Sequence, residues 1–195
     1  MIRKVVCIAS ALLFSALALA AGPQQSQKPA ASPQISAAST PPAANPADVS
    51  SPDAILAAVY DVISGPAEKP RDWNRFRSLF LPGARLVPTG TDPKGGEHAR
   101  SISPDDYAAG AEPYFQKNGF FEKEVARKAE SFGGIMQVFS TYESRHAARD
   151  AHPFARGINS IQLFFDGTRW WVVTIFWQEE NPATPLPKEF LPQAD

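Results

Sequence analysis

The chain has one cysteine, Cys7, and only three histidines, His98, His146 and His152. Cys7 lies in the apolar N-terminal segment, too near the start to be a lipid-attachment site. Removing that segment would leave no cysteine, which excludes disulfides, thiolate metal sites and a cysteine nucleophile. No two histidines stand at i, i+4 spacing or in a ligand motif, so no metal site and no cofactor is expected. Nineteen basic residues against twenty acidic ones give a formal charge of −1 without a basic stripe, so nucleic acid is not an expected partner. There is no glycine-rich phosphate loop and no serine–histidine–acid set with elbow geometry.

Long hydrophobic runs are absent except in residues 5–20. Arg3 and Lys4 precede that run and Ala18-Leu19-Ala20 closes it, the layout of a cleavable signal peptide over residues 1–20. The run is short for a membrane span, and small residues rather than charges follow it. The expectation is a periplasmic or secreted protein with no membrane span after cleavage. Residues 21–50 are mostly Ala, Pro, Ser and Gln, which reads as a disordered tether. A single domain is expected over residues 51–181, followed by a Pro-rich extended tail over residues 182–195 in which Glu189-Phe190-Leu191 could dock.

What is abundant is apolar periodicity. Ser51-Pro52-Asp53 opens a helix with a capping hydroxyl, a proline and an acid, and Ile55, Leu56, Val59 and Ile63 follow at helical spacing. Asp72 caps a second, short helix carrying Trp73 and Phe76. Ser103-Pro104-Asp105 opens a third, which Pro113 should kink or split. A short strand near residues 84–87, a small hairpin over 90–97 and long strands from Phe120 onward complete the order. Gly133-Gly134 reads as a turn or bulge, and Asp166-Gly167 as a two-residue type I′ turn.

The last strand is apolar on both alternating sets, with Trp170, Val172 and Phe176 against Trp171, Val173, Ile175 and Trp177. Both faces then need cover. The chain's helices supply one cover, and a second copy is expected to supply the other, making a homodimer through the outer face of the sheet. Helices grouped on one side of such a sheet give the α+β class.

Three segments carry a resemblance: AILAAVYDVISG, RFRSLFLPGARLV and the closing YESR…ARGINSIQLFFDGTRWWVV. Over residues 52–179 the chain resembles the nuclear transport factor 2-like superfamily, which includes ketosteroid isomerase, scytalone dehydratase and polyketide cyclases. The resemblance implies a cone-shaped, curved antiparallel sheet wrapped around about three N-terminal helices. It implies that Tyr60 matches the tyrosine that donates to the oxyanion in isomerase-like members. The positions matching their two acids fall at about Pro88 and Ile161, which transfer no proton, so the chain departs from that pattern there. Asp92 could substitute only if the hairpin register slipped.

The same facing implies that Val138, Ser140, Tyr142, Asn159, Ile161, Leu163, Trp171, Val173, Ile175 and Trp177 line the cavity. Ser140, Tyr142, Asn159, Trp171 and Trp177 are the expected ligand-binding residues, suited to a small apolar or amphipathic molecule. Tyr60 and His98 are the catalytic candidates of the alternative, a lyase or isomerase; His98 sits in the hairpin that overhangs the cavity mouth in related folds. Glu143, Arg145 and Arg156 read either as a cross-strand charge cluster or as a carboxylate grip at the mouth. A third reading is a dimeric protein-interaction module, with the tether and tail leading to another envelope protein.

Overall fold

A computed structural model describes residues 40–92 and 94–192. The expected signal segment and most of the tether lie outside the described residues. Three α-helices, α1 (Pro52–Ile63), α2 (Trp73–Ser78) and α3 (Pro104–Lys117), accompany six strands. The strands are β1 (Phe80–Thr91), β2 (Glu97–Ala99), β3 (Phe121–Phe132), β4 (Ile135–Arg145), β5 (Ala155–Phe165) and β6 (Trp170–Glu179). They form one sheet in the order β2-β1-β6-β5-β4-β3. The class is α+β as expected, but the sheet is mixed rather than wholly antiparallel: β1 runs parallel to β6.

The helix openings follow the local chemistry. Ser51, Asp72 and Ser103 accept from the backbone N–H of Ala54, Arg75 and Asp106, relieving one free N–H at each helix start. On α1 the buried residues Ile55, Leu56, Val59, Val62 and Ile63 share the face turned to the sheet. They meet Phe76, Leu79, Phe80, Leu86, Val138, Ile161, Leu163 and Val172 in one apolar core. A fully buried Leu, Ile or Phe side chain contributes roughly 1.5–3 kcal/mol, so this cluster dominates the stability of the domain. Arg71 is buried yet meets no carboxylate. It donates instead to the carbonyls of Ile63, Gly65, Pro66 and Lys69, fixing the turn after α1.

Several expectations need correction. α3 runs unbroken through Pro113. The bond that proline deletes would have gone to the carbonyl of Ala109, an exposed residue where water can take its place. β1 is far longer than the short strand expected, because the chain enters it directly from α2 and crosses Pro82-Gly83 with Gly83 at φ +86°. In the β5–β6 connection Phe165 pairs with Trp170, and Gly167 alone has positive φ (96°). Gly167-Thr168 are therefore the central residues, the pattern of a type II′ rather than a type I′ turn. The Asp166 carboxylate accepts from Thr168 and Arg169 N–H, which holds the turn from its first residue.

The N-terminal end of the domain differs from expectation, and the tail docks through the segment named from the sequence. Pro46–Asp48 form a 3-10 turn capped by Asn45, Val49 enters the core and Asp48 pairs with Arg75, so residues 45–49 are structured where a tether was expected. The tail folds back on the outer face of the sheet. Lys188–Phe190 form a second 3-10 turn, Phe190 packs 5.6 Å from Phe139, and its carbonyl accepts from the buried Thr141 hydroxyl at 2.6 Å. Lys128 Nζ lies 4.8 Å from the centre of the Phe190 ring. The chain thus covers part of its own outer face. No helix among the described residues is long and apolar enough to cross a membrane.

Candidate functional site

Between α1, α3 and the inner face of the sheet lies a cavity of about 200 Å³. Val59 and Ile63 reach it from α1, Tyr107 from α3, Leu86 from β1, and Phe120 and Glu122 from the start of β3. Tyr142 and Ser144 on β4, Asn159 on β5, and Ile175, Trp177 and Glu179 on β6 close the other side, with Phe154 and Ala155 at the rim.

Strand pairing explains the facing. Ser140 pairs with Asn159, Val138 with Ile161 and Met136 with Leu163, so the expected inner residues of β4 and β5 do face inward. On β6 the expected alternation fails halfway. Asn159 pairs with Trp177 and Ile161 with Ile175, but Leu163 pairs with Val172 because Val173 is bulged out of the ladder. Val172 and Trp170 therefore turn inward, and Trp171 and Val173 turn to the outer face. Trp171 does not line the cavity: its indole N–H donates to Asp166 at 2.7 Å and Arg169 stacks on it at 3.6 Å.

Glu122 is the chemically distinctive member. It pairs directly with Ser144, whose hydroxyl donates to Glu122 Oε2 at 2.8 Å, and Asn159 Nδ2 lies 3.4 Å from Oε1. Burial pushes its carboxyl up to about 7, outweighing those two hydrogen bonds. Among the described residues, no lysine, arginine or histidine lines the cavity to offset it. Sequence reasoning passed over Glu122 because the strand around it, FEKEVARKAE, looks solvated. The available signal was the inward partner Ser144, two residues beyond Tyr142 on the same face.

A second polar chain lies deeper. Asn159 Nδ2 donates to the Tyr60 hydroxyl at 3.1 Å, and the Tyr60 and Ser140 hydroxyls are 2.6 Å apart. Ser140 also bonds Glu124, and a carboxylate only accepts, so the donors run from Asn159 through Tyr60 and Ser140 to Glu124. Glu124 is held by Arg127, which also grips Asp53 of α1. Burial above all, then the charge of Glu122, raises the Tyr60 hydroxyl well above the ordinary phenol range. Tyr60 and Ser140 are buried and absent from the cavity wall, and both are committed to this chain. Asn159 joins it to Glu122.

Tyr107 and Tyr142 are different. Both line the cavity, and neither hydroxyl has a hydrogen-bond partner among the described residues. Burial, followed by the charge of Glu122, raises both above the phenol range. Two protonated hydroxyls thus stand free to meet a ligand.

His98 is exposed on β2, opposite Gly90, and is not among the cavity residues. Asp92 is occupied by the hairpin turn, accepting from Lys94 and Gly96 N–H. Glu143 and Arg156 are cross-strand partners, and Arg145 Nη2 bonds Glu143 at 2.7 Å while Arg156 reaches Glu180. That is the cross-strand charge cluster, not a grip on the cavity.

No family model matches the chain, and no curated protein does. Among solved structures it is similar to an uncharacterised protein with a cystatin-like fold from Caulobacter vibrioides: 14% identity, 67% of this chain and 88% of that one, TM-score 0.47. It is also similar to a nuclear transport factor 2-like protein of unknown function from Shewanella baltica, at 14% identity over 65% of this chain and 89% of that one, TM-score 0.41. A third is a putative ketosteroid isomerase from Shewanella frigidimarina, at 13% identity over 55% and 81%, TM-score 0.36. These are similarities of chain path alone.

Proposed function

We propose that the domain binds a small, largely apolar or amphipathic molecule in the cavity, with its polar end against Glu122, Tyr107 and Tyr142. One observation carries this reading. A carboxyl poised near neutrality and two unpartnered phenol hydroxyls converge in an otherwise apolar, aromatic chamber. Polar groups gathered on the wall of an apolar cavity add nothing to packing and are useful where a ligand completes them. Native mass spectrometry of the protein from its own host tests it: a reproducible retained mass is expected, lost when Ala155→Phe fills the rim. A mass retained equally by that variant would contradict the reading.

A lyase or isomerase is the second reading, and Glu122 favours it. A carboxyl titrating near 7 suits general acid–base work, for which His98 is misplaced. Turnover of the retained molecule that vanishes in Glu122→Gln, with a matching apparent pKa, would support it.

Export and pairing are part of the same proposal. Export is read from Arg3, Lys4 and Ala18-Leu19-Ala20, and N-terminal mass mapping of the envelope fraction tests it by looking for a chain that begins near Ala21. Pairing is read from the outer face beyond the tail, where Phe132, Ile135 and Phe164 border a groove of about 500 Å³ and Phe132 is 84% exposed. Sedimentation of the mature chain is expected to show a dimer.

A further inference from the structure

The cavity walls carry a one-sided electrostatic signature. Glu122 and Glu179 line it, while no lysine, arginine or histidine among the described residues does. Four nearby arginines are engaged outside it: Arg127 on Glu124 and Asp53, Arg145 on Glu143, Arg156 on Glu180 and Arg71 on four backbone carbonyls. Lys123 and Arg149 line a separate pocket on the other side of Glu122, and His146 stacks on Phe154 from outside the chamber wall. The chain therefore supplies Glu122 with hydrogen bonds but no counter-ion within the chamber.

The rest of the wall is unusually rich in rings. Tyr107, Phe120, Tyr142, Phe154 and Trp177 come from separate segments of the fold and meet at one chamber. Tyr107 and Trp177 stand edge to face at 6.3 Å with planes 86° apart, and Phe120 and Phe154 lie 6.2 Å apart. Rings at steep angles form the corner of a box rather than a flat stack. Aromatic faces attract cations through the ring quadrupole, and the attraction strengthens as water is excluded. An anion would meet two carboxylates and no compensating charge. A neutral molecule would leave Glu122 as it is.

We propose that the cavity takes a small organic cation, a protonated or quaternary alkylamine, seated against Glu122 and enclosed by the Tyr107, Tyr142 and Trp177 rings. This rests on the reading of the chamber as a ligand site and names the class of ligand. The apolar residues Val59, Ile63, Leu86 and Ile175 receive the alkyl groups on nitrogen, and the tyrosine hydroxyls are available to a polar substituent. The raised carboxyl of Glu122 agrees with this: it lacks the positive neighbour that the ligand would bring.

The test is calorimetric titration of the full mature chain with choline and with its uncharged isostere, 3,3-dimethyl-1-butanol. The two share shape and hydroxyl and differ in charge. The expected result is about tenfold tighter binding of choline, a preference that shrinks in Glu122→Gln and, independently, in Trp177→Leu. Each variant is first checked for wild-type cooperative unfolding, and either one that passes suffices for the comparison. Equal or tighter binding of the neutral alcohol overturns the proposal while leaving the ligand site intact. Binding of neither compound overturns the cation assignment as well, and the retained-mass experiment then decides separately whether the chamber is a ligand site.

Discussion

The Ser144 hydroxyl donates to Glu122 Oε2 at 2.8 Å from the directly paired position on the neighbouring strand. The register of β3 on β4 thereby fixes an acid inside an aromatic chamber, and burial leaves it titrating near 7 rather than near 4.5. The folded state thus holds this proton more tightly than the unfolded chain. Between about pH 4.5 and 7 the unfolded state binds fewer protons at this site, so stability falls as pH rises through that window and levels off above it.

Glu122→Gln removes this titration. The variant is expected to be more stable than the wild type at pH 8, by on the order of 1–3 kcal/mol, with little difference at pH 5. Urea melts at the two pH values measure it. A variant less stable at pH 8 than at pH 5, relative to wild type, would show that the carboxylate is well solvated.

Asp48 and Glu180 act in the opposite sense, because hydrogen bonds from Arg75 and Arg156 hold them below the usual carboxylate range. Their stabilisation is present above their unfolded pKa values and is lost as pH falls through the lowered ones, below the Glu122 window. The two effects therefore separate on the pH axis.

Tyr60→Phe is expected to cost about 1–3 kcal/mol in urea unfolding and to leave ligand affinity within about twofold, because the hydroxyl serves Asn159 and Ser140 rather than the chamber. Tyr142→Phe is expected to do the reverse, with little loss of stability and a clear loss of affinity. Matching behaviour of the two variants would mean that the inner chain and the chamber are not separate.

Gly157 lies where β5 passes under the Tyr142 ring. A Cβ there would stand 2.2 Å from the Gln178 carbonyl oxygen and 2.6 Å from the Tyr142 hydroxyl. Gly157→Ala is therefore expected to lower stability by more than about 2 kcal/mol, as overpacking against backbone does. A thermal melt within two degrees of wild type would contradict the close approach.

Truncation after Asn181 uncovers Phe139 and Thr141, which the tail now meets through Phe190. The truncated chain is expected to associate at lower concentration than the intact one in sedimentation, since the newly exposed strip adjoins Phe176 and Ile158. Unchanged association would show that the strip plays no part in contacts between copies.

The helices and the inner faces of β4 and β5 were legible because capping residues, apolar spacing and strand alternation all act locally. The facing of Trp171 was not legible. One bulged residue, Val173, reverses every position before it on β6, and nothing in WWVVTIFW marks where the ladder slips. Glu122 escaped notice for a related reason: its strand is polar overall, and its burial comes from Tyr107, Phe120 and Tyr142, contributed by other parts of the chain. The tail's docking segment, Glu189-Phe190-Leu191, was legible, but not the place where Phe190 meets Phe139 and Thr141, more than forty residues away in the chain.

The most direct measurement is a carbon-detected NMR titration of the glutamate side-chain carboxyls in the ligand-free protein, with Glu122→Gln identifying the Glu122 resonance. A midpoint near 7 is expected for Glu122. A midpoint near the ordinary glutamate value of about 4.3 would place the carboxyl in water and contradict the account of the chamber.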